Sequence, residues 1–173
     1  MKNIEIRKIG QDDTQNIIKW RNSPHVMSVF IDRRPLTEEI HNNWLENYVN
    51  KGKVVQFVVR ECDDEKDIGS VYFRNVDHEN SKAELGIFIG EADYIGKGYG
   101  TEIIKKAVRY GFEKMGLNRV YARVLDYNRV SYNMFLKLGF KTDACLREDV
   151  IIDGKKESVY IVSMLKEEWN DDE

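Results

Sequence analysis

The chain has 173 residues, a third of them charged and 42% hydrophobic, with a formal net charge of −3. That length suits one domain with a sizeable core, and the acidic balance has the wrong sign for a nucleic-acid binder, which carries a basic face. No apolar run approaches a membrane span or a signal segment, and Cys62 and Cys145 stand far apart without CxxC or histidine spacing. Neither a metal site nor a disulfide framework is indicated. A reducing, cytoplasmic setting with no membrane and no nucleic-acid partner is expected. Residues 1–169 read as a single domain, with residues 170–173 a frayed acidic tail.

In chain order, residues 4–9 alternate Ile4, Ile6 and Ile9 with charges and read as a first strand. A helix comes next, opened by Asp12 or Asp13 as cap and carrying Ile17, Ile18 and Trp20 on one face. It ends at Trp20-Arg21-Asn22-Ser23-Pro24, because proline pushes the preceding residue out of helical geometry. Residues 25–36 look irregular, and Thr37 starts a second helix with Ile40, Trp44, Leu45 and Tyr48 on its buried face. Strands are expected at 54–60, 68–76 and 83–89, then a helix from about Thr101, a strand at 119–125 and a helix at 129–138. Two last strands, near 140–151 and 155–165, flank Asp153-Gly154, a strong hairpin signal. The order of elements is α+β and not alternating βαβ.

The chemistry concentrates in residues 83–101, Ala-Glu-Leu-Gly-Ile-Phe-Ile-Gly-Glu-Ala-Asp-Tyr-Ile-Gly-Lys-Gly-Tyr-Gly-Thr. A strand feeds a loop in which three glycines alternate with Lys97 and Tyr99, and the loop opens a helix. Main-chain N–H groups bare of side chains, at the positive end of a helix dipole, form a cradle for phosphate. The spacing fits neither the Walker pattern nor the dinucleotide fingerprint. Standing alone, the same glycines would fit an ordinary strand-to-helix turn equally well.

This stretch resembles the acetyl-CoA pyrophosphate loop of the GNAT family of N-acetyltransferases, Q/R-x-x-G-x-G/A, with Gly98 and Gly100 at the small positions and Ile95 replacing the usual Gln or Arg. A second segment, Asn128-Arg-Val-Ser131-Tyr-Asn-Met-Phe135-Leu-Lys-Leu-Gly139-Phe140, is similar to the family's N-x-x-S-x-x-x-Y-x-x-x-G-F. The tail, with Leu146-Arg147-Glu148 and Asp153-Gly154-Lys155, is similar to the RimJ/RimL branch. The resemblance covers nearly the whole chain. It implies a mixed central sheet splayed around acetyl-CoA with flanking helices.

It also implies roles. Ile95, Gly96, Lys97, Gly98, Tyr99, Gly100 and Thr101 would hold the pyrophosphate, Asn128 the pantetheine arm, and Ser131 would lie near the pyrophosphate. As plain structure, Asn128 is also a good helix cap. Main-chain N–H groups of Phe88 and Ile89 would polarise the thioester carbonyl. Phe135 stands where many members have a tyrosine that protonates the departing thiolate, and Tyr132 on the same helix is the substitute candidate. Glu84 is the candidate base for the acceptor ammonium, with a solvent-facing strand carboxylate as its plain alternative.

Acceptor recognition is expected from residues 20–48. Trp20-Arg21-Asn22 resembles a segment of N-acetyltransferases acting on nucleotide-linked amino sugars: the ring would stack, Arg21 would meet a diphosphate, and His41 would assist a hydroxyl. The plainer reading, that Trp20 fills the core and Arg21 bonds a neighbour, is the favoured one for that short motif. The expected activity is direct acetyl transfer to a primary amine of a small molecule, leaning to an amino-sugar nucleotide. Alternatives are a protein N-terminal amine, a polyamine, a non-catalytic CoA sensor and a cofactor-free interaction module. A homodimer through the C-terminal hairpin is a further expectation by analogy.

Overall fold

The computed structural model describes residues 2–170, so residues 171–173 of the expected acidic tail lie outside the described residues. Seven strands, β1 (Ile4–Lys8), β2 (Val55–Glu61), β3 (Lys66–Asp77), β4 (Lys82–Ile89), β5 (Arg119–Leu125), β6 (Lys141–Ile152) and β7 (Lys155–Leu165), form one sheet in the order β1-β2-β3-β4-β5-β7-β6. Every neighbouring pair is antiparallel except β4 and β5, which run parallel. Asp153 and Gly154 both have positive φ, the geometry of a tight hairpin turn, and they join β6 to β7 as expected.

The helices are α1 (Thr14–Arg21), the short α2 (Pro24–Met27), α3 (Glu38–Trp44), α4 (Tyr99–Glu113) and α5 (Arg129–Lys137). The helical spacing of α4 places Ile103, Ile104, Ala107, Val108, Gly111 and Phe112 against the sheet, all buried. Alternation along β3 and β4 then sorts the core into two layers. Val71, Phe73, Leu85 and Ile87 face α4 and α5, while Tyr72 and Phe88 face Trp20, Val26 and Leu45 beneath α1–α3.

Two local expectations are corrected. Asp13 does not cap α1 through its side chain; its carboxylate takes two bonds from the Arg7 guanidinium, at 2.7 and 2.9 Å, and one from the Gly10 N–H. The predicted buried face of the second helix is also out of phase. Thr37 caps α3, but the helix loosens into a π turn over Leu45–Val49, which rotates the side chains of that last turn. His41 and Leu45 are buried, whereas Ile40 is 51% and Tyr48 42% exposed.

The feature that makes a site is the β4–β5 pairing. It holds only from Lys82↔Arg119 to Glu84↔Tyr121. Beyond Glu84 the two strands part, and the sheet opens into a wedge. Among the described residues no helix is long and apolar enough to cross a membrane.

Candidate active site

The wedge is lined on one side by Gly86 and Ile87 of β4 and on the other by Ala122 and Val124 of β5, with Asn128 and Ser131 of α5 at its margin. Antiparallel pairing fixes which main-chain groups face it. The Gly90 N–H donates to the Ile68 carbonyl at 2.8 Å. Alternation therefore gives the N–H of Phe88 and Gly86 to β3 and turns those of Ile87 and Ile89 into the split. Of the two donors expected from sequence, only Ile89 points the right way. Phe88 instead contributes its ring, edge-on to Trp20 and Phe30.

The glycine loop leads into the N-terminus of α4. Gly98 is the N-cap residue at φ +87°, a left-handed conformation that glycine adopts without strain, and no side chain caps the first turn. The first N–H groups of α4 therefore have no partner within the helix. Nothing lies within 4 Å of where a Cβ on Gly96 or Gly98 would be, so the loop faces open space. Ile95, Gly96 and Lys97 are exposed, Thr101 is half-buried and Lys2 stands beside Gly98. Tyr99 differs: its ring is buried edge-on against Tyr94 at 5.3 Å and serves the core. Gly100 is buried because α5 crosses there, with Met134 Sδ 2.8 Å from where a Cβ would sit.

On α5, Asn128, Ser131 and Phe135 share the wedge-facing side. The Asn128 Oδ1 accepts the Ser131 N–H at 3.3 Å, so the capping role is present and leaves the amide NH2 of Asn128 to the wedge. Phe135 is buried against Phe140. Tyr132 is not a stand-in for the missing tyrosine. Its ring stacks on Tyr160 at 4.4 Å and its hydroxyl shares a 2.8 Å hydrogen bond with Thr142, because that side of α5 lies on β6 and β7.

A second concavity of about 220 Å3 opens between α1, α3 and the sheet. Phe30, Tyr72 and Arg74 line both it and the wedge, so they mark where the two meet. A third, shallower groove of about 750 Å3 runs past Lys51, Lys53, Arg74, Glu84 and Arg123. Glu84 lies at the junction of groove and wedge, buried rather than solvent-facing. Its Oε1 accepts from Arg74 at 2.5 Å and its Oε2 from Asn75 at 2.9 Å.

The residues expected to bind the acceptor divide. Trp20 is 1% exposed, donates from Nε1 to Glu91 at 2.8 Å and leaves no room for a Cβ on Gly90, so it cannot stack a ligand. Asn22 is a brace: it donates to the Leu36 carbonyl at 2.8 Å and accepts the Leu36 N–H at 2.7 Å, tying down the ends of the intervening loop. Arg21 does line the pocket, its guanidinium 3.6 Å from the centre of the Phe30 ring. His41 lines it too, buried, with Nδ1 3.2 Å from Thr14 Oγ1 and Nε2 without a partner. Burial holds the His41 pKa below its ordinary value, against the pull of Asp13, so the ring is neutral at pH 7. Tyr72 and Arg74 were missed in sequence. The alternation Ser70, Tyr72, Arg74 on the inner face of β3 was the available signal, since polar residues there need a reason.

The acetyltransferase (GNAT) domain model matches residues 3–141, four-fifths of the chain. The chain belongs to the GNAT acetyltransferases. It is therefore an acetyltransferase of the kind whose acetyl donor is acetyl-CoA. The N-acetyltransferase p20 of Bacillus licheniformis is 29% identical, over 96% of this chain and 94% of its own length. The spermidine N(1)-acetyltransferase of Escherichia coli is 27% identical, over 88% of this chain and 80% of its own. Among solved structures, the spermidine N-acetyltransferase of Vibrio cholerae in complex with CoA and spermine superposes with a TM-score of 0.90 at 21% identity, covering 96% of this chain and 97% of that one. That likeness speaks for the GNAT fold of this chain.

Proposed function

We propose that this GNAT acetyltransferase transfers an acetyl group directly to the primary amine of a small molecule held in the 220 Å3 pocket. The observation that carries this reading is the meeting of that pocket with the sheet's wedge at Phe30, Tyr72 and Arg74. The residues of the wedge fit the CoA chain: unpaired N–H groups of Ile87 and Ile89, the amide of Asn128, and the open glycine loop at the start of α4. When bound, acetyl-CoA supplies the electrophilic thioester.

The chain's own groups do the rest. The Ile89 N–H is aimed where the thioester oxygen gains charge. An alkylammonium near pKa 10.4 must lose a proton before it attacks. Glu84 lies at the junction, but both its oxygens are engaged, so the proton reaches it by displacing Asn75 or through water in the open groove. α5 offers no acid, with Phe135 apolar and the Tyr132 hydroxyl turned to Thr142. A thiol near pKa 8.5 leaves tolerably as thiolate without one.

Two finer readings of the acceptor compete. An amino-sugar nucleotide keeps Arg21 as an anion partner but loses Trp20 as a stacking surface. A polyamine is suggested by the names of the Escherichia coli and Vibrio cholerae proteins. Thiol release from acetyl-CoA against a panel of amines tests the activity. Amine-dependent release is expected; silence across the panel, with CoA still raising the melting temperature, would make the chain a CoA sensor.

Self-association is a second proposal. β6 is an edge strand with exposed Leu146 and with Ile151 73% exposed, a surface suited to a copy of itself. Solution mass should be that of a dimer or larger, and Ile151→Lys should reduce it. A monomeric wild type would refute this.

A further inference from the structure

The chain is acidic overall, yet the walls around the acceptor are not. Arg21, Arg74, Lys51, Lys53 and Arg123, the last already paired with Asp149 at 2.5 Å, face the pocket and its groove, against two carboxylates, Asp32 and Glu84. Neither carboxylate is unengaged. Arg34 grips Asp32 at 2.6 and 2.9 Å, and Arg74 holds Glu84 at 2.5 Å. Among the described residues Arg21, Lys51 and Lys53 make no ion pair. Arg21 rests on the Phe30 ring and a carbonyl 3.4 Å away, and Lys51 on the Asn47 amide at 2.7 Å.

The pocket also presents buried polar groups without partners. The Nε of Arg74 and the Nε2 of His41 are buried, unbonded, and belong to residues that line it. The Arg21 guanidinium, half-sheltered from water without an ion pair, gains most from an anion, and the buried Nε–H of Arg74, left over from its pair with Glu84, gains a bond from the same oxygens. A polyamine meets the opposite situation: its ammonium groups would enter a basic wall whose carboxylates are already held.

We propose that the acceptor is an amine carrying its own negative charge, a phosphate or a carboxylate, which Arg21 and Arg74 take in the pocket while Lys51 and Lys53 draw it in through the groove. This rests on the acetyl-transfer reading of the site and adds the class of substrate. The amine end then lies toward the wedge, and the anionic end between Arg21 and Arg74. Lys51 and Lys53 act from the rim, so they govern capture and not chemistry.

The test is calorimetry on the CoA-saturated protein with glucosamine 6-phosphate, β-alanine and spermidine as probes, and glucosamine and ethanolamine as uncharged-arm controls. At least one anionic probe should bind tenfold or more tighter than its control, and tighter than spermidine. The phosphate and carboxylate arms separate the two sources of charge. Lys51→Glu with Lys53→Glu should weaken that probe about tenfold, leave CoA affinity unchanged and flatten the salt dependence. Spermidine binding as tightly as the better of the two anionic probes, or no anionic probe binding while CoA does, overturns the proposal. Failure of CoA itself to bind would instead remove the acetyl-transfer reading on which it rests.

Discussion

Gly86 lies under Tyr72 so closely that a Cβ on it would stand 2.2 Å from the ring carbon Cζ and 2.4 Å from the hydroxyl oxygen. The phenol crosses β4 at the point where that strand has just left β5, and it forms part of both the acceptor pocket and the wedge. A strand glycine is here the floor that lets an aromatic ring lie flat across a sheet opening.

Gly86→Ala should therefore push Tyr72 out of the junction. Overpacking of this kind costs about 1–3 kcal/mol, which lowers the melting temperature by roughly 2–4 °C per kcal/mol in a chain this size. Displaced lining should also cut kcat/KM by about 10². Tyr72→Phe, which keeps the ring, should melt as the wild type does. Thermal denaturation and thiol release on the two variants check this, and full activity in Gly86→Ala would dissociate the ring from the site.

Gly98→Asp should abolish the thermal shift given by CoA. A carboxylate at φ +87° is strained and places negative charge over the first turn of α4, where the pyrophosphate is proposed to sit. Gly98→Ala carries the strain, about 1–2 kcal/mol, without the charge, and should retain most of the affinity. Wild-type affinity in Gly98→Asp would move the phosphate elsewhere.

Glu84→Gln takes the counter-charge from Arg74. The expected stability loss is about 2 kcal/mol, below the 3–5 kcal/mol typical of fully buried pairs because Arg74 reaches solvent. If Glu84 removes the acceptor proton, the ratio of mutant to wild-type turnover should rise with pH. Above the amine's pKa no base is needed; below it the base matters most. A ratio flat from pH 6 to 10 would leave Glu84 with a positioning role only.

Acid should strip one specific contact. Hydrogen bonds from Lys19 and then Trp20 hold the Glu91 carboxyl at about 2, against an ordinary value of 4.5. A depressed carboxylate pKa stabilises the fold above pH 4.5, and that contribution is lost as pH falls toward 2. Glu91→Gln should melt lower at pH 7 and lose less on acidification through that window. Trp20 emission is the local probe, since Glu91 accepts its Nε1–H.

Legibility in the sequence tracked periodicity. The strand at 119–125, the helix from the glycine loop and the Asp153-Gly154 hairpin all come from regular alternation, helical spacing or turn chemistry, and all are present. The insertion after the first strand was read less well. There Trp20 is core, as the plainer reading of its short motif had it, whereas Ile40 and Tyr48, which looked like core, are exposed: α3 turns His41 inward instead of Ile40, and the π turn over Leu45–Val49 shifts the phase at Tyr48. Tyr132 failed for a related reason: a three-residue spacing on a helix does not say which neighbour that side meets. Arg74 was passed over although its alternation with Ser70 and Tyr72 marked it, because nothing local distinguishes a strand arginine that lines a pocket from one that meets solvent.

Among the described residues a short seam of main chain, residues 82–84 against 119–121 with the Ser81 carbonyl bonded to the Asn118 and Arg119 N–H groups, joins β4 to β5. Side-chain packing beneath the sheet adds to that join, and Met134 against Gly100 is a shim between α4 and α5. A change to that methionine would let α5 shift against the start of α4, where the pyrophosphate is proposed to sit.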